Sequence, residues 1–181
     1  MAEHDSTTEQ PQSDPFEVVE AEHRTGARHK GVYLLPNLFT TGALFAGFYA
    51  IVAAMNGLFE AAAVGIIVAG ILDGLDGGVA RLTNTQSKFG AEYDSLSDCV
   101  AFGVAPGLVA YSWALTELGK FGWMAAFIYL ACAALRLARF NVQAESTDKR
   151  FFIGLPSPTG AGLVATMVWL GASRGIDGNE V

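Results

Sequence analysis

Charge is almost missing from long stretches of this chain. Between Val32 and Leu72 the only formally charged residue is Glu60. Runs of this kind exclude a water-exposed surface on the elements that contain them, and they have the roughly 20-residue length of membrane spans. Cysteine is scarce too. Cys99 and Cys132 both lie inside apolar runs, so no disulfide framework is expected and both are read as structural. Cys99 follows Asp98, which places it near any site there without a role in it. The first 30 residues are polar and hold no apolar core segment, so no cleavable leader is expected. His23 and His29 stand six apart with no further ligand nearby, which argues against a metal between them.

What remains is a length of 181 residues, enough for one domain, and a net charge of −7 that is unevenly placed. The charge is concentrated at the N-terminus and around residues 145–150. Residues 1–22 are rich in Glu, Asp, Ser, Thr, Gln and Pro and read as a disordered, solvated leader. Arg24, Arg28 and Lys30 then form a basic patch before the first span, suited to a cytoplasmic face and anionic headgroups. The division expected is a disordered cytoplasmic tail over 1–30, a transmembrane domain over 31–174 and a polar end over 175–181.

Five spans are expected, at about 34–55, 58–81, 89–115, 121–141 and 155–173. The fold class is therefore all-α, a polytopic membrane helix bundle. Asn56-Gly57 and Glu117 to Lys120 read as tight turns, Leu82 to Lys88 as a polar loop, and residues 144–150 as a charged loop. Pro36 suits the start of the first helix, and Asn37 and Thr40 fall one turn apart on one of its faces. They either cap the helix and bond its backbone or make a polar contact to a substrate. Gly103 and Gly107 allow close helix packing, within the chain or in a dimer. With the N-terminus in the cytoplasm and the sides alternating, nine Lys and Arg face inward and only Lys120 and Arg174 face outward. The unusual polar residues then all fall at the inner end.

The stretch from Asp73 to Asp98 breaks the apolar pattern. Four aspartates and Arg81 at membrane depth are costly and call for a function. Asp73 and Asp76 are three apart, Asp94 and Asp98 four apart, so on helices each pair shares a face. Two antiparallel helices would aim four carboxylates into one small space, where a hard divalent cation, or two, compensates them. All-oxygen ligands suit Mg2+, Mn2+ or Ca2+ better than zinc. Gly74, Gly77, Gly78 and Ala80 weaken the helix but let a ligand approach its backbone. Arg81 adds a cation for phosphate oxygens. Metal, arginine and bare backbone together suit a pyrophosphate and a transfer reaction at phosphorus. Carboxylates in a membrane also mark cation transporters and proton relays. The arginine, the glycines and the shallow placement argue for the phosphate reading.

The spacing Asp-x2-Asp-Gly-x2-Ala-Arg-x8-Gly-x3-Asp-x3-Asp, met at Asp73, Asp76, Gly77, Ala80, Arg81, Gly90, Asp94 and Asp98, resembles the signature of the CDP-alcohol phosphatidyltransferases. Members are integral membrane enzymes that join a CDP-linked donor to an alcohol and release CMP. The resemblance implies Asp73, Asp76 and Asp94 as main metal ligands and Asp98 as the base, with contact to a second ion. It also implies a CDP site formed by Asp73, Gly77, Ala80, Arg81 and Gly90, with Asn37 and Thr40 as further contacts. Three further segments are similar to the bacterial and archaeal membrane-embedded phosphatidylserine synthases of that family: Leu35 to Thr40, Leu137 to Asn141 and Gly154 to Pro158. That likeness implies CDP-diacylglycerol as donor and L-serine as acceptor, with glycerol 3-phosphate or inositol as alternatives. Arg136 and Arg139, three apart, would hold the serine carboxylate or a donor phosphate, or else anchor the fourth span. A homodimer in the bacterial inner membrane, with its site facing the cytoplasm, is expected from the same likeness, and no nucleic-acid partner. The family usually has at least six spans, so with five a C-terminally shortened chain is expected.

Overall fold

A computed structural model describes residues 37–83, 87–146, 154–176 and 178, the side chains of 80–83 and 143–146 excepted. The expected tail, the basic patch and Pro36 lie outside the described residues. Among the described residues six α-helices follow in order: α1 (Asn37–Met55), α2 (Phe59–Thr83), α3 (Lys88–Asp98), α4 (Ala105–Ala110), α5 (Lys120–Ser146) and α6 (Ser157–Ser173). No strand occurs among the described residues. α3, α4 and the segments after each form one span, Lys88–Leu115. Among the described residues four helical stretches are long and apolar enough to cross a membrane, and the chain is an integral membrane protein. The fifth expected span is α6, whose 17 residues reach about 25 Å at 1.5 Å per residue.

Packing is inverted relative to a water-soluble bundle. Alanines fill the interior, with Ala50, Ala62, Ala63, Ala69, Ala101, Ala105, Ala161 and Ala165 all fully buried. Large side chains such as Phe45, Phe48, Met55, Ile71, Phe121 and Phe127 point outward. Lipid tails are as apolar as leucine, so helix association depends on close backbone approach rather than on burying bulk. Gly47 sits where a Cβ would lie 2.7 Å from the Ala101 Cα, and at Gly65 one would lie 3.1 Å from the Ala46 carbonyl oxygen. α1 is held this way between α2 and the third span. Gly103 and Gly107 pack against Leu130, Ala133 and Ala126 of α5, so this pair serves packing within the chain.

The turns are closed as their residues dictate. After α1, the Leu58 N–H bonds the Ala53 carbonyl and the Gly57 N–H bonds that of Ala54. After α6, Ile176 bonds Gly171 and Gly175 bonds Ala172 in the same pattern. Gly57 and Gly175 take positive φ, 74° and 67°, which this helix stop requires. The segment expected as a polar end thus begins with a folded cap, and Gly178 is buried against Trp113. α5 runs to Ser146, five residues past the expected Asn141, a stretch in which Gln143, Ala144 and Glu145 are good helix formers.

The third span departs from a uniform α-helix. Two stretches, Cys99–Val104 and Tyr111–Leu115, are wound as wider π-turns. Pro106 explains the first. It has no N–H to give the Phe102 carbonyl one turn back. The Ala105 N–H reaches Val100, five residues back, and the Tyr129 hydroxyl from α5 donates to the Phe102 carbonyl at 3.1 Å. A backbone oxygen in an apolar bundle is thereby satisfied by a neighbouring helix.

Candidate active site

The end of α2 and the start of α3 meet at one end of the bundle. One carboxylate oxygen from each of Asp73, Asp94 and Asp98 lies within 4.8 Å of the others. Two unit charges about 4 Å apart repel by roughly 4 kcal/mol in a partly screened medium. A divalent cation held by the three carboxylates would relieve that repulsion. The donor set is all oxygen, drawn from two helices, and it fits a hard divalent cation.

Asp76, one turn beyond Asp73, is placed differently. It is 6% exposed, and its Oδ2 accepts a hydrogen bond from the Thr40 hydroxyl of α1. Thr40 is itself buried, and its carbonyl accepts from the Ser97 hydroxyl at 3.1 Å. Of the four aspartates, three therefore converge directly and the fourth is joined to α1. Asn37 lies one turn before Thr40 and reaches the start of α3: a Cβ on Gly90 would stand 3.6 Å from the Asn37 Oδ1. The Gly90 N–H donates to the Ser87 hydroxyl, the cap of α3. Asn37, Thr40 and Gly90 thus share the α1–α3 seam. The neighbouring Thr41 hydroxyl donates to the Asn37 carbonyl at 2.6 Å and meets the Tyr93 hydroxyl at 3.0 Å.

Beside the carboxylates, α2 presents bare backbone. A Cβ built on Gly74 or Gly78 meets nothing within 4 Å. Gly77 is half-buried between them. The side chains of Ala80 and Arg81 lie outside the described residues.

α5 and α6 complete this end. The Ser95 hydroxyl and the Asn141 amide bond each other, at 3.1 and 2.9 Å, which ties α3 to α5 between Asp94 and Asp98. Arg136 donates to the Ser157 hydroxyl at 2.8 Å, which ties α5 to the start of α6. Arg139, one turn further along α5, is exposed. Ser95 and Ser97 were not singled out from the sequence. Their one signal was the alternation of serine with Asp94 and Asp98 inside an apolar span.

A sequence model of the CDP-alcohol phosphatidyltransferase family matches residues 33–178, and the chain belongs to that family. Among curated proteins, it is 47% identical over 139 residues to the CDP-diacylglycerol–serine O-phosphatidyltransferase of Helicobacter pylori, covering 77% of this chain and 59% of that protein. It is 42% identical over 157 residues to the enzyme of the same name from Mycobacterium tuberculosis, covering 81% of this chain and 54% of that one. For the Bacillus subtilis enzyme of that name the identity is 39% over 124 residues, with 68% and 69% covered. The chain thus spans between half and three fifths of the length of the first two relatives.

Proposed function

We propose that this chain carries the site that transfers a phosphatidyl group from CDP-diacylglycerol to the hydroxyl of L-serine, giving phosphatidylserine and CMP. The observation that carries the reading is the convergence of Asp73, Asp94 and Asp98 beside the open face of α2 at Gly74 and Gly78. The names of the relatives supply the acceptor.

Asp73 and Asp94 would hold the metal, with Asp76 from the next turn and Asp98 toward a second ion. Bound there, Mg2+ or Mn2+ supplies charge neutralisation for the phosphoryl oxygens and the leaving group. The residues do the rest. Asp98 accepts the proton of the serine hydroxyl. The serine oxygen attacks the lipid-side phosphorus, the bond from that phosphorus to the bridging oxygen breaks, and CMP departs with the bond electrons. Asp73, Gly77, Ala80, Arg81 and Gly90 line the CDP, with Asn37 at the α3 end and Thr40 beneath it. Arg136 and Arg139 face the serine carboxylate or a donor phosphate, for which a guanidinium offers paired donors. An apolar groove of about 500 Å³ lies between α1 and α2, lined by Phe45, Tyr49, Val64, Val68 and Leu72. Its chemistry suits an acyl chain of the donor.

The experiment is CMP release from CDP-diacylglycerol in detergent micelles, with serine, glycerol 3-phosphate and inositol as separate acceptors. Release with serine alone, lost on chelation and restored by Mn2+ or Mg2+, is expected. Release with another acceptor would move the assignment within the family. Failure to bind CDP in the presence of Mn2+ would remove it.

The site faces the cytoplasm of a bacterial inner membrane in this reading, and the protein forms a homodimer. Nine of eleven Lys and Arg on the inner side support the orientation. In a background without the native cysteines, Asn84→Cys is expected to react with impermeant maleimide only from inside, and Leu118→Cys only from outside. Reaction of both from one side would break the topology.

A further inference from the structure

Two adjacent threonines of α1 make different bonds. Thr41 turns back to its own helix and bonds the Asn37 carbonyl. Thr40 reaches across to α2 and gives its one hydroxyl proton to the Asp76 Oδ2. Thr40 is 3% exposed and Asp76 6%, so neither exchanges this bond for one with bulk water. A third helix fixes the donor, because the Ser97 hydroxyl holds the Thr40 carbonyl from α3. Ser97 is 2% exposed and adjoins Asp98. The chain of contacts from Asp76 through Thr40 to Ser97 thus joins three helices at the carboxylate layer. α1 carries no acid of its own among its described residues.

We infer that Thr40 is a positioning residue that sets Asp76 for cation binding, rather than a direct contact to the nucleotide. With Oδ2 occupied by the threonine, the carboxylate plane is fixed and Oδ1 is the oxygen left for a cation. A rotatable aspartate would lose side-chain freedom on each binding event. One already oriented by a hydroxyl donor does not, and outer partners of this kind commonly contribute a factor of about 10–100 to metal affinity. This inference rests on the metal reading of the aspartate cluster, and the test separates the two.

Mn2+ alone is titrated into the purified protein in detergent micelles, with free Mn2+ followed by electron paramagnetic resonance, so no turnover is needed. Thr40→Val keeps the shape and removes the donor. It is expected to weaken Mn2+ binding about 10–100-fold. Thr40→Ser restores the hydroxyl and should bind within about threefold of the parent, and Thr41→Val within about twofold, each well under the loss of an outer partner. Parent-like binding by Thr40→Val overturns the inference, as does Thr40→Ser binding as weakly as Thr40→Val. Asp76→Asn distinguishes the layers. If it weakens Mn2+ binding while Thr40→Val does not, only the role of Thr40 falls. If neither Asp76→Asn nor Thr40→Val has an effect, Asp76 is not a ligand and both fall, and a parent that binds no Mn2+ removes the metal reading itself. Should Thr40→Val fail to yield a monodisperse protein, Ser97→Ala takes its place. That change frees only the Thr40 carbonyl and is expected to weaken binding by about 3–10-fold, the lower part of the outer-partner range; unchanged affinity would sever the link.

Discussion

Asp98→Asn is expected to reduce CMP release by about 10²–10⁴-fold, the usual contribution of a positioned general base. Asparagine keeps the size of the side chain and one carbonyl oxygen, so a cation can still be met at that position. It cannot take a proton from an alcohol. The carboxylate oxygen of Asp98 belongs to the group that lies within 4.8 Å with Asp73 and Asp94, so some loss of metal affinity is expected as well. Saturation separates the two effects. For Asp73→Asn and Asp94→Asn, raising Mn2+ should recover part of the activity, because weakened binding is overcome by mass action. For Asp98→Asn the loss should persist at saturating Mn2+, as a fall in kcat. Recovery of Asp98→Asn at high Mn2+ would make this residue a ligand only and place the base elsewhere. The measurement is CMP release against Mn2+ concentration for the three variants side by side.

The aspartate cluster was legible because its pattern is local. Asp73 and Asp76 at i, i+3 and Asp94 and Asp98 at i, i+4 declare a shared helix face whatever the helices pack against. The span limits were legible for a similar reason: apolar runs end where polar residues begin. α2, α5 and α6 start within two residues of their expected positions. What the pattern could not carry was rotation between helices. It grouped Asp76 with the other three acids but carried no sign that Thr40 of α1 would donate to that carboxylate. The wide turn after Asp98 was hidden as well. Pro106 was visible, but the donor that settles the Phe102 carbonyl, Tyr129, is 27 residues away. The Ser95–Asn141 bond spans 46 residues. Contacts of that range depend on how the helices are assembled, and a single sequence records them only as isolated polar residues in apolar spans.

Gly47 is where a small change should have the largest effect on the fold. A Cβ there would lie 2.7 Å from the Ala101 Cα and 3.0 Å from its Cβ. The obstructing atoms are mostly backbone, in the wide turn that follows Asp98, so no side chain can rotate away. α1 would have to move off the third span. On its other side a Cβ at Gly65 of α2 would meet the Ala46 carbonyl oxygen at 3.1 Å, so α1 has little room to shift. Gly47→Ala is therefore expected to cost about 1–3 kcal/mol, the range for overpacking. For a chain of this size that corresponds to a melting temperature lower by about 2–12 °C. Gly47→Leu should prevent α1 from docking at all. Because Thr40 lies seven residues before Gly47, about 10 Å along the helix, a displaced α1 also draws the threonine from Asp76. Mn2+ affinity should fall together with stability. Gly162→Ala in α6 is the control, since a Cβ there meets nothing within 4 Å. It replaces a poor helix former with the best one, and its melting temperature should be unchanged or slightly raised. Melting in detergent micelles, followed by circular dichroism, decides the matter. If Gly47→Ala melts with the parent, α1 is not clamped at this contact. If Gly47→Ala melts early but binds Mn2+ with parent affinity, the seat of α1 stabilises the bundle without setting the carboxylates.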